Sequence, residues 1–130
     1  MNVFIARSVN VIAGALLLVL GGVGYVSPEW FFTEKYDVLT PTPQSKTILR
    51  VMMGFMTTMG LLWLVASLWH KNQRPLLAAT IIMTLGFISS RVGGLFLYGF
   101  DQIHTYHELG FEIIALNICL WVYSKYKKTV

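Results

Sequence analysis

Residues 76–98 read LLAATIIMTLGFISSRVGGLFLY, a continuous apolar run that a single charged residue, Arg91, interrupts. At 1.5 Å of rise per residue, a helix of this length crosses the roughly 30 Å hydrocarbon core of a bilayer. A membrane β-strand would instead show about ten residues of alternating hydrophobicity. The run therefore predicts a membrane-spanning α-helix and an all-α fold class.

Three further apolar runs accompany this stretch. Together they predict helices at residues 3–26, 47–69, 76–98 and 108–124. A chain of 130 residues has room for about four spanning helices of about 20 residues each. We therefore expect a single transmembrane domain over residues 1–130, folded as an integral membrane four-helix bundle. The first run is longer than the apolar part of a signal peptide, so we interpret it as a retained helix.

The composition excludes several classes of protein. Hydrophobic residues make up 55% of the chain and charged residues only 12%, about half the charged fraction of an average soluble domain. These values argue against a soluble enzyme, a disordered chain and a nucleic-acid binder. Membrane lipids are the expected partners, and no nucleic acid is expected.

Lys and Arg residues occur at the N-terminus, between the second and third runs, and in the tail: Arg7, Lys71, Arg74, Lys125, Lys127 and Lys128. Short connections rich in these residues stay on the cytoplasmic side of a membrane. The charge distribution therefore predicts that both termini are cytoplasmic. The first and third connections would then lie outside.

Of the charged residues within the predicted spans, three are surrounded by apolar sequence and carry the argument: Arg50, Arg91 and Glu112. A charge at the centre of a membrane helix costs about 2.5–3.5 kcal/mol on insertion scales, and a partner lowers that cost. In the predicted topology all three lie at a similar depth, towards the outer side. We predict that Arg91 pairs with Glu112, with Arg50 and Glu108 nearby.

This predicted cluster has three interpretations. It is a buried ion pair that sets the register of the helices, or a polar pocket that binds a head group. Two arginines against one deeply placed glutamate would leave a positive site for a carboxylate, a phosphate or a quinone carbonyl. The third interpretation is a proton relay through Glu112, His104 and His107.

His104 and His107, with Asp101, are the candidate proton-relay or metal residues near the predicted outer surface. With Glu108 the histidines could supply three ligands, but the spacing matches neither HExxH nor a repeated Glu-x-x-His pattern. No GxSxG sequence or phosphate-binding glycine loop occurs, so no catalytic residue is indicated. We expect no metal, and no cofactor other than a bound lipid or quinone.

The third run also carries a stripe of small residues at a spacing of four, Gly86, Ser90 and Gly94. Small residues let membrane helices approach closely, because lipid removes the hydrophobic drive between them. We expect the stripe to pack inside the bundle. The alternative is a contact with a second copy of the chain or with another protein.

Spaced features over nearly the whole chain carry a family resemblance: Gly14, Gly21, Pro28, Arg50, Gly54, Gly60, Arg91, Gly93, Gly94, Asp101 and Glu112. In these the chain resembles short bacterial four-helix membrane proteins catalogued as a domain of unknown function, which are distantly similar to DoxX-like proteins. The resemblance implies a membrane bundle of the bacterial inner membrane and no assigned reaction. Because some DoxX-like proteins are similar to subunits of quinone-linked oxidoreductases, it also implies an accessory role.

The sequence thus favours a non-enzymatic accessory or ligand-binding membrane protein, whose site contains Arg50, Arg91 and Glu112. One alternative is a small oligomeric transporter or proton-coupled carrier. The other is a membrane subunit of a lipid- or quinone-linked enzyme.

Overall fold

The computed structural model describes residues 3–38 and 42–126, and these residues are helical almost throughout. They form the α-helices α1 (Val3–Val26), α2 (Pro43–Trp69), α3 (Arg74–Tyr98) and α4 (Ile103–Lys125), with a short π-helical segment at Trp30–Lys35. No β-strand occurs in this described part of the chain. The predicted all-α fold class is therefore confirmed.

Helix α1 has the predicted bounds, but the other three helices begin before their apolar runs. At the start of α2, the Thr42 hydroxyl oxygen accepts a 3.1 Å hydrogen bond from the Ser45 backbone N–H, and Pro43 occupies the first turn. Helix α3 begins at Arg74 with a proline in its first turn, and α4 begins at Ile103. Apolar runs indicate the lipid-facing length, whereas polar groups and prolines decide where a helix starts.

Helices α1, α2 and α3 are long and apolar enough to cross a membrane. Helix α4 is not among them, because histidines and glutamates occupy its first half. Large apolar side chains such as Phe55, Ile82 and Ile114 are exposed, as lipid-facing residues would be. The pattern indicates a helical membrane protein, while the fourth span stays a prediction.

The chain divides into two compact units, which we call the α1–α2 unit (residues 10–38 and 42–69) and the α3–α4 unit (residues 3–9 and 70–126). In the α1–α2 unit, glycines bring one backbone against the other. A Cβ atom at Gly21 would lie 2.6 Å from the Thr57 backbone nitrogen, and one at Gly60 would overlap the backbone of Leu18. Close packing of these two helices therefore requires glycine.

The α3–α4 unit has a small core of Ala6, Leu77, Val122 and Tyr126. The turn before α3 is fixed by Gln73, whose side-chain amide donates a 2.6 Å hydrogen bond to the His70 carbonyl. Only residues 99–102 separate α3 from α4, so the two helices pack side by side and antiparallel. The last two turns of α3 consequently lie next to the first turns of α4.

Candidate functional site

An ion pair joins α3 to α4 in the region where these turns meet. Arg91 Nε donates a 2.8 Å hydrogen bond to Glu112 Oε1. The Glu112 side chain is 12% exposed and that of Arg91 is 29% exposed. The predicted pairing of these two residues is therefore present in the structure, while their depth in a membrane stays a prediction.

Glu108 adds a second carboxylate, with Oε2 lying 3.8 Å from Arg91 Nη2. Helix α4 starts at Ile103, so His104, Glu108 and Glu112 follow one another at a spacing of four on one helix, as predicted. One guanidinium thus faces two carboxylates. The charge balance of these three side chains is negative, whereas two arginines and one glutamate would give a positive excess.

The second oxygen of Glu112 is unusual. Oε2 is buried and has no hydrogen-bond partner among the described residues. A buried carboxylate oxygen without a partner costs free energy, which a hydrogen-bond donor supplied by a ligand or by water would recover.

A cleft of about 270 Å³ opens beside the ion pair. Its walls are Phe87, Ser90, Arg91 and Gly94 from α3, with Gln102 and Thr105 from the start of α4. The structure shows one hydrogen bond from the Arg91 guanidinium, made by Nε. Its Nη groups remain available as donors, because a guanidinium carries five N–H groups.

Gln102 was not a candidate from the sequence, yet it lines this cleft and is held there by two hydrogen bonds. Its side-chain amide donates to the Gly99 carbonyl at 2.7 Å, and its carbonyl oxygen accepts a 3.1 Å bond from the Thr105 hydroxyl. Gly99 has a φ of +107°, a conformation that favours glycine. No sequence signal pointed to Gln102, because a glutamine followed three residues later by a threonine is the reverse of the capping-box order.

The histidines do not assemble a metal site. His104, His107 and Asp101 are all exposed. Among residues 3–38 and 42–126, no group of three His, Cys, Asp or Glu side chains could hold a metal ion. The metal interpretation of these residues therefore finds no support in the geometry, and the proton relay stays a prediction.

Arg50 belongs to the α1–α2 unit, where its guanidinium carbon lies 5.7 Å from the centroid of the Tyr25 ring. Its predicted place beside Arg91 stays a prediction.

The small-residue stripe of α3 differs from its expected role. A Cβ atom at Gly86, Gly93 or Gly94 would meet no atom of the described chain within 4 Å. The Ser90 hydroxyl donates a 2.9 Å hydrogen bond to the Gly86 carbonyl of its own helix. The close packing expected of this stripe is thus not seen at Gly86 or Gly94 within the described residues, and its place inside a four-helix bundle stays a prediction.

The described residues define a helical protein with three helices apolar enough to cross a membrane and an arginine–glutamate pair beside a cleft. The chain belongs to the family described as "Domain of unknown function (DUF4345)", whose sequence pattern matches residues 5–123. No curated protein and no solved structure matches the chain. The expected membership of an unknown-function membrane family is thus confirmed, while the likeness to DoxX-like proteins stays a prediction.

Proposed function

We propose that the chain is a non-enzymatic membrane protein that binds the polar head group of a lipid or quinone in the Arg91 cleft. The observation that carries the proposal is the double role of Arg91. Its Nε–H holds Glu112, while the same guanidinium lines a cleft of about 270 Å³. Arginine suits this role because its planar fork serves two partners at once.

The charges around the cleft define the kind of head group. Arg91 Nη groups require a hydrogen-bond acceptor, such as a phosphate or quinone oxygen. The buried Glu112 Oε2, beside Arg91, requires a hydrogen-bond donor, and Phe87 supplies an apolar wall. A lipid head group that carries both an acceptor and a donor satisfies these needs, whereas a quinone supplies acceptors only. A simple anion is a poorer match, because one arginine would attract it and two carboxylates would repel it.

The proposal is tested by native mass spectrometry of the protein extracted gently from its own membrane. We expect a lipid or quinone to co-purify with the unmodified chain and to be lost from Arg91→Gln. The matched control is Arg74→Gln, which removes an arginine whose guanidinium carbon lies 4.7 Å from the Tyr123 ring centroid. Equal retention of the ligand by a folded Arg91→Gln variant would contradict the proposal.

The same preparation separates the two alternatives from this proposal. Transport of the bound compound into liposomes would favour a small oligomeric transporter or proton-coupled carrier. Reduction or oxidation of a bound quinone would favour a subunit of a quinone-linked enzyme.

An accessory role is the second candidate, and the uncovered glycines of α3 favour it. No atom of the described chain lies within 4 Å of a Cβ atom built at Gly86, Gly93 or Gly94. A helix of a partner protein or of a second copy of the chain would fit closely against this surface. Gly86→Leu is expected to release a co-purifying protein while the chain itself still folds. Retention of the partner by Gly86→Leu would argue against this surface.

For location, we propose the bacterial inner membrane, with four spanning helices and both termini in the cytoplasm. The support is the distribution of Lys and Arg, of which Lys127 and Lys128 lie outside the described residues. Replacing Asp37 by cysteine, in a chain with Cys119→Ser, gives a test. Labelling of intact cells by a membrane-impermeant reagent is expected, and labelling only after the cells are opened would reverse the orientation.

A further inference from the structure

A second cleft lies in the α1–α2 unit, where α1 ends and α2 begins. Its volume is about 340 Å³. The polar side chains that line it are Ser27, Glu29, Lys46, Thr47 and Arg50. The cleft is therefore formed by residues about two turns or less from the ends of helices, where lipid head groups lie in a membrane.

The charge balance of this second cleft is the reverse of that at Arg91. Two cations, Lys46 and Arg50, stand against one carboxylate, Glu29. Lys46 Nζ forms an ion pair with Glu29 Oε1, and the two side chains are 39% and 61% exposed. Because exposed ion pairs contribute little net stability, Lys46 can exchange this carboxylate for an oxygen of a ligand at low cost.

Arg50 is held in a position that leaves its donors available. The guanidinium lies over the Tyr25 ring, with its central carbon 5.7 Å from the ring centroid. Within the described residues, no carboxylate lies within ion-pair distance of Arg50. Contact with an aromatic ring restricts the orientation of a guanidinium. Arg50 therefore loses less conformational freedom when it binds an oxyanion.

We propose that this cleft binds a phosphate group of net negative charge, through Arg50 and Lys46. The Ser27 hydroxyl lines the same cleft and is a further donor for the phosphate, whereas the Thr47 hydroxyl donates a 3.0 Å hydrogen bond to the Pro43 carbonyl of its own helix. Basic pockets between membrane helices are sites where acidic head groups bind. The site is independent of the Arg91 cleft, since no residue lines both.

The test uses the full chain in phosphatidylcholine nanodiscs with a fixed fraction of phosphatidylglycerol. Lipid that stays bound is measured by native mass spectrometry. A second arm titrates inorganic phosphate into nanodiscs of phosphatidylcholine alone. The variants are Arg50→Gln and Lys46→Gln, with Arg74→Gln as control, because it removes another ring-stacked arginine that belongs to the α3–α4 unit.

We expect phosphatidylglycerol to bind about tenfold more weakly to Arg50→Gln, the effect of losing one charge-assisted hydrogen bond. A smaller loss is expected for Lys46→Gln and none for Arg74→Gln. Lys46 is partly exposed, so its variant tests the site even if Arg50→Gln fails to fold. Arg50-dependent binding of inorganic phosphate without a preference for phosphatidylglycerol would assign the same cleft to a soluble phosphate.

Two results would overturn this inference. One is equal binding of both probes by the unmodified chain and Arg50→Gln. The other is an equal loss in all three variants, because that would reflect the net charge of the protein rather than this cleft.

Discussion

The two helix pairs of this protein use glycine in opposite ways. In the α1–α2 unit, Gly21 and Gly60 lie against the backbone of the facing helix. In the α3–α4 unit, a Cβ atom at Gly86 or Gly94 would meet no atom of the described chain within 4 Å, and the Arg91–Glu112 hydrogen bond joins the two helices. Small residues thus allow close packing between α1 and α2, whereas the small residues of α3 border an open, polar cleft. The proposed head-group site lies where packing by glycine is absent.

The largest expected effect is at the closed interface. Gly60→Ala should lower the free energy of unfolding by about 3 kcal/mol, because the added Cβ would overlap the backbone of Leu18 and Gly14. Gly22→Ala is the control on α1, since nothing lies within 4 Å of its Cβ direction. Thermal unfolding in detergent measures the difference. Equal stability of the two variants would show that α1 and α2 do not pack as described.

Next in size is the ion pair that joins α3 to α4. Arg91→Met should lower the free energy of unfolding by about 2 kcal/mol, because Glu112 would lose its hydrogen bond at a largely buried position. Adding Glu112→Leu should restore most of that loss, since two apolar residues need no partner. The denaturant midpoint of each variant gives the comparison.

The double variant also separates structure from function. If it is stable and still retains the co-purifying lipid or quinone, the pair serves only to hold the helices together. If it is stable and has lost the ligand, the pair is part of a binding site.

A smaller effect is expected at Gln102. Gln102→Ala removes hydrogen bonds to the Gly99 carbonyl and from the Thr105 hydroxyl, and should cost about 1 kcal/mol of unfolding free energy. Because Gln102 also lines the Arg91 cleft, ligand retention should fall as well. Gln44→Ala, an exposed position near the start of α2, is the control. No change in either measurement would mean that the connection does not shape the cleft.

The smallest effect is at the open glycines. Gly86→Ala should raise the free energy of unfolding by about 0.5 kcal/mol, because alanine favours a helix more than glycine does and its Cβ would meet no atom of the described chain within 4 Å. The same thermal measurement as for Gly60→Ala makes the comparison direct. A large destabilisation would show that the α3 stripe is covered by another helix, as the sequence alone suggested.

Much of this protein follows from local sequence properties. Apolar length predicts the helices, and the same depth of Arg91 and Glu112 predicts their pairing, because an unpaired charge in lipid is costly. The spacing of His104, Glu108 and Glu112 likewise follows from helical geometry once α4 begins near His104. These features follow from the rise of a helix per residue and from the free-energy cost of placing a charge in lipid.

Other features depend on which helix faces meet, and that is decided between residues far apart in the chain. Gly60 and Gly86 look alike in sequence, yet only Gly60 lies against a neighbouring backbone. Gln102 and Thr105 enter the Arg91 cleft because of the turn at Gly99, and Arg50 stacks on Tyr25 because the end of α1 lies beside α2. Hydropathy and periodicity are properties of single segments, whereas the contact made by each helix face is set by packing between segments. For this reason the sequence alone predicts the helices and the charged pair, and the tertiary structure decides which surfaces are closed and which form clefts.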